Sequence, residues 1–341
     1  MHSLKYLINT SLNIICEFNW CKFYLFVGLS YLLFIIYFRI ASHFNILDRP
    51  NNRSSHNQDT IRGAGFIFPI IFILNSILFN REIEIIFILG LLIISILSFW
   101  DDVVGISPGV RLLLQIISVL LLLFSHSNLS LWVIILSAII IIGIVNAYNF
   151  MDGINGITVL YSATQVFSLI LVRRVMGFES NWYDDSLFML FSSFLVFGFY
   201  NLRRKARCFA GDIGSVAMAF ILCYGIFDVI IQTSNPIYIL FLGIYGLDTV
   251  ATITLRICRK ENLTVAHRTH LYQFLSNEQG FTHVFVAILF ASVQLVLSTV
   301  VITQDCQVAL LFYVIIIFVY IAYRLKYQGF QNLFVKYIHS K

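Results

Sequence analysis

Apolar runs close to the length of a membrane crossing recur along this chain, and they constrain its fold more than any other feature. They lie near residues 22–42, 63–80, 85–100, 111–125, 130–148, 154–172, 186–202, 213–233, 237–256, 284–303 and 307–324. A helix needs about 20 apolar residues to cross the hydrocarbon core. In lipid every backbone polar group must also be satisfied within the structure. A transmembrane β-barrel would show short alternating segments, whereas residues 131–145 are apolar without alternation. Charged residues make up only 11% of the chain and hydrophobic ones 59%, while soluble domains carry about 25% charged residues. The expected class is an all-α, polytopic transmembrane protein with about eleven membrane helices, forming one domain over residues 1–341.

The N-terminal segment has no A-x-A-like cleavage site, so the first strong run reads as a retained helix. Cys16, Cys21, Cys208, Cys223, Cys258 and Cys306 form no C-x-x-C pair. They read as small buried hydrophobes rather than a disulfide framework or a zinc site.

Orientation follows from the positive charges. An odd number of crossings puts the termini on opposite sides. With the N-terminus outside, seventeen of the 22 Lys and Arg residues fall on inner segments. Lys5, Lys22, Arg81, Arg173 and Arg174 remain outside, while Arg53, Lys336 and Lys341 are among the inner ones. The positive-inside rule then gives a periplasmic N-terminus and a cytoplasmic C-terminus. The outer loops are short, whereas the inner ones carry Asp, Asn, Arg and His.

Five inner segments have chemical content. The first runs from Leu47 through Asp48, Arg49, Arg53 and His56 to Arg62, Gly63 and Gly65. Its arginines suit phosphate, and its glycines allow close backbone approach. Alternatively, it is an orientation signal followed by a flexible helix start. Asp101 and Asp102 close the third run; adjacent carboxylates there are tolerated if solvated, metal-bound or sharing a proton. The fifth run ends in Asn146, Asn149, Asp152, Gly153, Asn155 and Gly156. On a continued helix Asn146, Asn149 and Asp152 share one face. Polar residues so close to a membrane are functional by default. Gly211-Asp212-Ile213-Gly214-Ser215 opens the eighth run, offering backbone donors to an anion and a carboxylate to a cation. The long segment 256–280 holds His267, Arg268 and His270, whose spacing puts the histidines on one helical face. Carboxylates for a hard cation beside cations for phosphate are the inventory of Mg²⁺-assisted phosphoryl transfer.

The order of Asp101-Asp102, Asn149-Phe150-Met151-Asp152-Gly153, Gly211-Asp212-Ile213-Gly214-Ser215 and the histidine segment resembles the polyprenyl-phosphate N-acetylhexosamine-1-phosphate transferases, over roughly residues 40–280. The resemblance implies a bacterial inner-membrane enzyme with its active site on the cytoplasmic face. It would transfer a sugar 1-phosphate from a UDP-activated N-acetylated sugar to undecaprenyl phosphate, releasing UMP. It further implies Mg²⁺, with Mn²⁺ as a substitute, held by Asp212 and Asn149. One of Asp101 and Asp102 would meet or deprotonate the lipid phosphate. Asp152 would support the nucleotide or metal site, and His267, Arg268 and His270 would recognise sugar and phosphate. Asn146 and Arg62 complete the expected substrate-binding set. Membrane lipid is an expected partner, nucleic acid is not, and a homodimer is compatible with the resemblance. Asp248 falls where relatives carry an aspartate.

Two departures narrow the resemblance. Asn155 replaces the second Asp of an Asp-Gly-x-Asp-Gly pattern, and His270-Leu271-Tyr272-Gln273 replaces His-x-His-His. The histidine segment looks like the branch that initiates O-antigen and related surface glycans from sugars such as FucNAc, QuiNAc or GlcNAc. The alternatives are a lipid-linked glycan transporter or flippase, and an inactive scaffold of a glycan-assembly complex. Transporters place polar sites near the midplane, and only Asp228 and Asp248 lie well inside runs here. The last two runs (284–324) and the tail (325–341) read as membrane anchoring alone.

Overall fold

The computed structural model describes residues 10, 19–49, 59–80, 82–126, 129–179, 181–263, 265, 267–330 and 333. Arg53 and His56 of the first inner segment, with Lys5, Cys16, Arg81, Lys336 and Lys341, lie outside the described residues. The helices are α1 (Trp20–His43), α2 (Ile67–Phe79), α3 (Ile85–Val103), α4 (Pro108–Phe124), α5 (Leu131–Met151), α6 (Ile157–Val175), α7 (Trp182–Asn201), α8 (Gly211–Thr233), α9 (Gly243–Cys258), α10 (Leu271–Asn277), α11 (His283–Thr303) and α12 (Cys306–Gln328). All but α10 overlap an apolar run, and among the described residues seven spans are long and apolar enough to cross a membrane. The chain is thus a helical, polytopic membrane protein.

α8 is the axis of the bundle. It packs against α2, α3, α5 and α6, and 89% of its most apolar window is buried. Small residues permit this burial. Gly214 backs onto Gly65, where a Cβ would come within 2.8 Å of the facing Cα. Around α8, α2 packs on α7, α6 on α11 and α1 on α7. α5 and α12 lie at the periphery, with only 17% of their apolar windows buried, and present Trp132, Leu136, Leu311 and Phe318 outward. Apolar surface on that scale is what lipid, rather than water, accommodates.

One end of the bundle is stitched together by short backbone pairings. β1 (Leu47–Asp48) pairs antiparallel with β2 (Thr60–Ile61), and Ile61 bridges to Cys208 just before α8. Ala64 and Gly65 then donate their N–H groups to the carbonyls of Phe209 and Ala210, both at 3.0 Å. These bonds fix the start of α2 against the start of α8.

At the opposite end Arg173, one of the outer charges, is buried. Its Nε donates to Asp184 at 2.5 Å and its Nη1 to Asp228. A charge so buried is retained only when paired. The Asp228 noted above as lying well inside a run is therefore the counter-ion of a structural cation.

Candidate active site

The ends of α3, α5 and α8 and the strand before α2 converge on one cluster of ionic groups. Arg62 follows β2; its N–H donates to Ile46, and its carbonyl accepts from the Tyr37 hydroxyl at 2.5 Å. So anchored, its guanidinium spans two carboxylates: Nε lies 2.6 Å from Asp102 Oδ1, and Nη2 lies 3.0 Å from Asp212 Oδ1. Burial pulls the Arg62 pKa down, but the Asp102 and Asp212 charges outweigh it and hold the group above its ordinary value.

Asp102 also accepts the backbone N–H of Asp212 on Oδ1 and of Ile213 on Oδ2, both at 3.0 Å. It therefore caps α8 from another helix. The first N–H groups of a helix need an acceptor, and a carboxylate is favoured there by the helix dipole. In the sequence these donors are open to an external anion; in the structure they go to the protein's own Asp102. Gly211 makes the approach possible, with φ at +72° and no Cβ, since one there would stand 2.5 Å from Asp102 Oδ2.

Asp101, one residue earlier, faces elsewhere. Its Oδ1 accepts from the Ile106 N–H at 2.7 Å, and its Oδ2 pairs with Arg111 at 3.2 Å. It fastens the turn between α3 and α4. The structure thus separates the pair, with only Asp102 in the cluster.

Asn149, in the last turn of α5, donates Nδ2 to Asp212 Oδ2 at 3.3 Å, and its Oδ1 accepts from Ser215 at 3.1 Å. Asp152 follows the end of α5 and accepts from the Thr158 hydroxyl. Burial, aided by the Asp212 charge, pushes the Asp152 carboxyl up to about 6 despite that bond. The helix stops at Met151, so the expected common face does not extend to Asp152. Asn146, one turn back, turns to Gln115 on α4 at 3.2 Å instead. Asn155 donates Nδ2 to the Arg203 carbonyl at 2.9 Å. A carboxylate could not make that bond, which gives a physical reason for an amide at this position.

The histidine segment is not helical at His267 and His270; α10 begins only at Leu271. The two rings nevertheless stack, with centroids 5.0 Å apart. Burial, then His270, Arg256 and Arg259, push His267 down to about 3, so it is neutral near pH 7. Arg268 is exposed. The segment reaches the acidic cluster through Tyr272, whose hydroxyl donates to the Phe150 carbonyl at 2.9 Å. That contact requires glycine at 153, where a Cβ would lie 2.2 Å from the same hydroxyl. Thr158 carries no distinguishing signal in the sequence, and Tyr272 stands out there only as part of the departure from His-x-His-His.

The donor set suits a hard cation in part. Mg²⁺ characteristically takes one or two protein carboxylates and completes its shell with water and phosphate oxygens. Asp212 is a partly exposed carboxylate of the cluster, and Asn149 adjoins it. For Asn149 to ligate through Oδ1, its amide must turn and release Ser215. Asp102, with both oxygens engaged and no exposed side-chain surface, serves as support for this set rather than as part of it.

This chain is similar to known proteins. The family model described as glycosyl transferase family 4 matches residues 84–230. A probable undecaprenyl-phosphate N-acetylglucosaminyl 1-phosphate transferase of Bacillus subtilis (strain 168) is 27% identical over 258 residues, covering 70% of this chain and 71% of the relative. A phospho-N-acetylmuramoyl-pentapeptide-transferase of Thermotoga neapolitana is 25% identical, covering 66% of this chain and 79% of its own. The corresponding protein of Lactiplantibacillus plantarum is 28% identical, and this chain spans only 57% of its length.

Proposed function

We propose that the chain is a member of the polyprenyl-phosphate N-acetylhexosamine-1-phosphate transferase superfamily, supported by its match to glycosyl transferase family 4 and to its relatives, and that it moves a sugar 1-phosphate from a UDP-sugar to undecaprenyl phosphate. The sugar is of the N-acetylhexosamine type, UMP is released, and the product initiates O-antigen or a related surface glycan. The protein lies in the bacterial inner membrane as eleven crossings, with the ionic cluster on the cytoplasmic face. The observation that carries this reading is the convergence of Arg62, Asp102, Asn149, Asp152 and Asp212 at one end of the bundle.

In the reaction a lipid phosphate oxygen attacks the β-phosphorus of the UDP-sugar. The bond from that phosphorus to the bridging oxygen breaks, and the oxygen leaves with UMP. Both reactants are anionic, so the site's task is positioning and charge compensation. Mg²⁺, held by Asp212 and Asn149, would supply positive charge against the pyrophosphate. Arg62, still one-third exposed, presents a fixed cation to an incoming phosphate. Asp102 holds Arg62 and the start of α8 in register. Asp152 would support the nucleotide or metal site beside them. His267, Arg268 and His270 would recognise the sugar and its phosphate.

The test is direct. Purified protein with undecaprenyl phosphate, Mg²⁺ and a panel of UDP-N-acetylated sugars should yield UMP and a lipid-linked sugar phosphate. Folded protein that releases no UMP from any of them would end the transferase reading. Asp212→Asn should abolish turnover, and near-normal activity would remove Asp212 from the metal site.

A further inference from the structure

α12 buries the wrong residues for a helix that only anchors. Of its 23 residues only Ala309, Tyr320 and Arg324 are buried, while Ile315, Phe318 and Val319 face outward. Placing a hydroxyl and a guanidinium inside an apolar bundle is unfavourable unless each finds partners. Tyr320 and Arg324 stand one turn apart on the inward face, and both find them. Arg324 Nη1 donates to the Tyr320 hydroxyl at 2.8 Å and to Thr252 at 3.3 Å, and Nη2 donates to the Thr269 carbonyl at 2.7 Å. The Tyr320 hydroxyl donates to Asp248 Oδ1 at 2.8 Å.

Asp248 in turn caps α10 from α9, accepting from the Leu271 N–H at 2.8 Å and the Tyr272 N–H at 3.3 Å. This repeats what Asp102 does for α8. From Tyr272 the chain of contacts runs to Phe150, in the last turn of α5 between Asn149 and Asp152. Tyr320 and Arg324 lie beyond the residues matched by the family model.

We propose that Tyr320 and Arg324 are positioning residues for the transfer reaction. Through Asp248 and Thr269 they hold the segment from His267 to Tyr272 against the turn that carries Asn149 and Asp152, and so set nucleotide-sugar binding. The inference rests on the transferase reading for its kinetic consequence, and on the contacts alone for its structural one.

The experiment compares wild type with Arg324→Ala, Arg324→Lys, Tyr320→Phe and, as an outward-facing control on the same helix, Phe318→Ala. Loss of a charge-assisted hydrogen bond predicts that Arg324→Ala raises KM for the UDP-sugar about tenfold. KM for the lipid phosphate should stay within about twofold. Guanidinium ion added to Arg324→Ala should recover part of the loss, Arg324→Lys should fall between, and Tyr320→Phe should be insensitive to guanidinium. Carbethoxylation of His267 and His270, read by peptide mass, should speed up several-fold in Arg324→Ala and stay unchanged in Phe318→Ala. The proposal is overturned if both KM values and kcat shift together without guanidinium recovery, or if histidine modification is unchanged in folded Arg324→Ala. Should wild type itself make no product, the transferase reading fails, and histidine modification still decides the positioning role.

Discussion

Asp102→Asn separates two roles that a buried carboxylate beside a phosphate site could have. Asp102 receives the Asp212 and Ile213 N–H groups and the Arg62 Nε, at 3.0, 3.0 and 2.6 Å. Asparagine keeps one acceptor oxygen, replaces the other with an NH₂ group facing a backbone N–H, and removes the charge, so that of the two carboxylates its guanidinium spans Arg62 keeps only Asp212 as an ionic partner. Breaking one partner of a buried ion pair costs about 3–5 kcal/mol. At roughly 2 °C per kcal/mol, that lowers the unfolding midpoint by about 6–10 °C. Asp101→Asn, which loses one Arg111 contact at the edge of the cluster, should lower it by only about 2 °C. Thermal unfolding in detergent, followed by tryptophan emission with turnover measured on the same samples, reads both effects. Asp102→Asn that lost turnover at an unchanged midpoint would refute the capping role and make Asp102 a chemical participant.

Asn155→Asp should be destabilised by about 1–3 kcal/mol, because a carboxylate would face the Arg203 carbonyl with no proton to donate; wild-type stability in the same unfolding assay would exclude that contact. Gly153→Ala should depress turnover more than stability by pushing the Tyr272 hydroxyl off Phe150, and full activity would show that the contact is dispensable. Asp152 gives a pH signature: its folded pKa of about 6 lies above the ordinary value of 3.8. The unfolded chain therefore loses this proton first. The contribution is fully present below about pH 4 and lost as pH rises through about 6. Unfolding midpoints of metal-free protein should fall across that window, Asp152→Asn should flatten the slope, and an unaltered slope would assign it to another group.

The bundle was readable because lipid permits few spanning structures, so each long helix falls on an apolar run. The acidic motifs were readable because polar residues at the ends of such runs stand out against their surroundings. What direction each side chain takes was not. Asp101 and Asp102 are neighbours on a helix, roughly 100° apart around its axis, and nothing local says which one turns inward. The donors of Gly211–Ser215 looked open because their acceptor comes from residue 102, more than a hundred positions away. Arg173 and Arg324 looked like boundary charges for the same reason: Asp228, Asp248 and Thr269, which draw them inside, meet them only in the folded bundle. Asn155 looked like a defect in a motif, but its carbonyl partner at Arg203 shows a requirement for a donor.

The central claim is that the cluster around Asp212 moves a phosphate together with the sugar, and the fate of the β-phosphorus tests it most directly. UDP-sugar labelled with ³²P at the β position and separately in the uracil ring is incubated with the protein, Mg²⁺ and undecaprenyl phosphate, and the lipid is extracted. The account predicts that the β-³²P enters the lipid fraction with the sugar while the uracil label leaves as UMP, in equal amounts. Recovery of both labels together in UDP, with unlabelled phosphate in the lipid product, would contradict it.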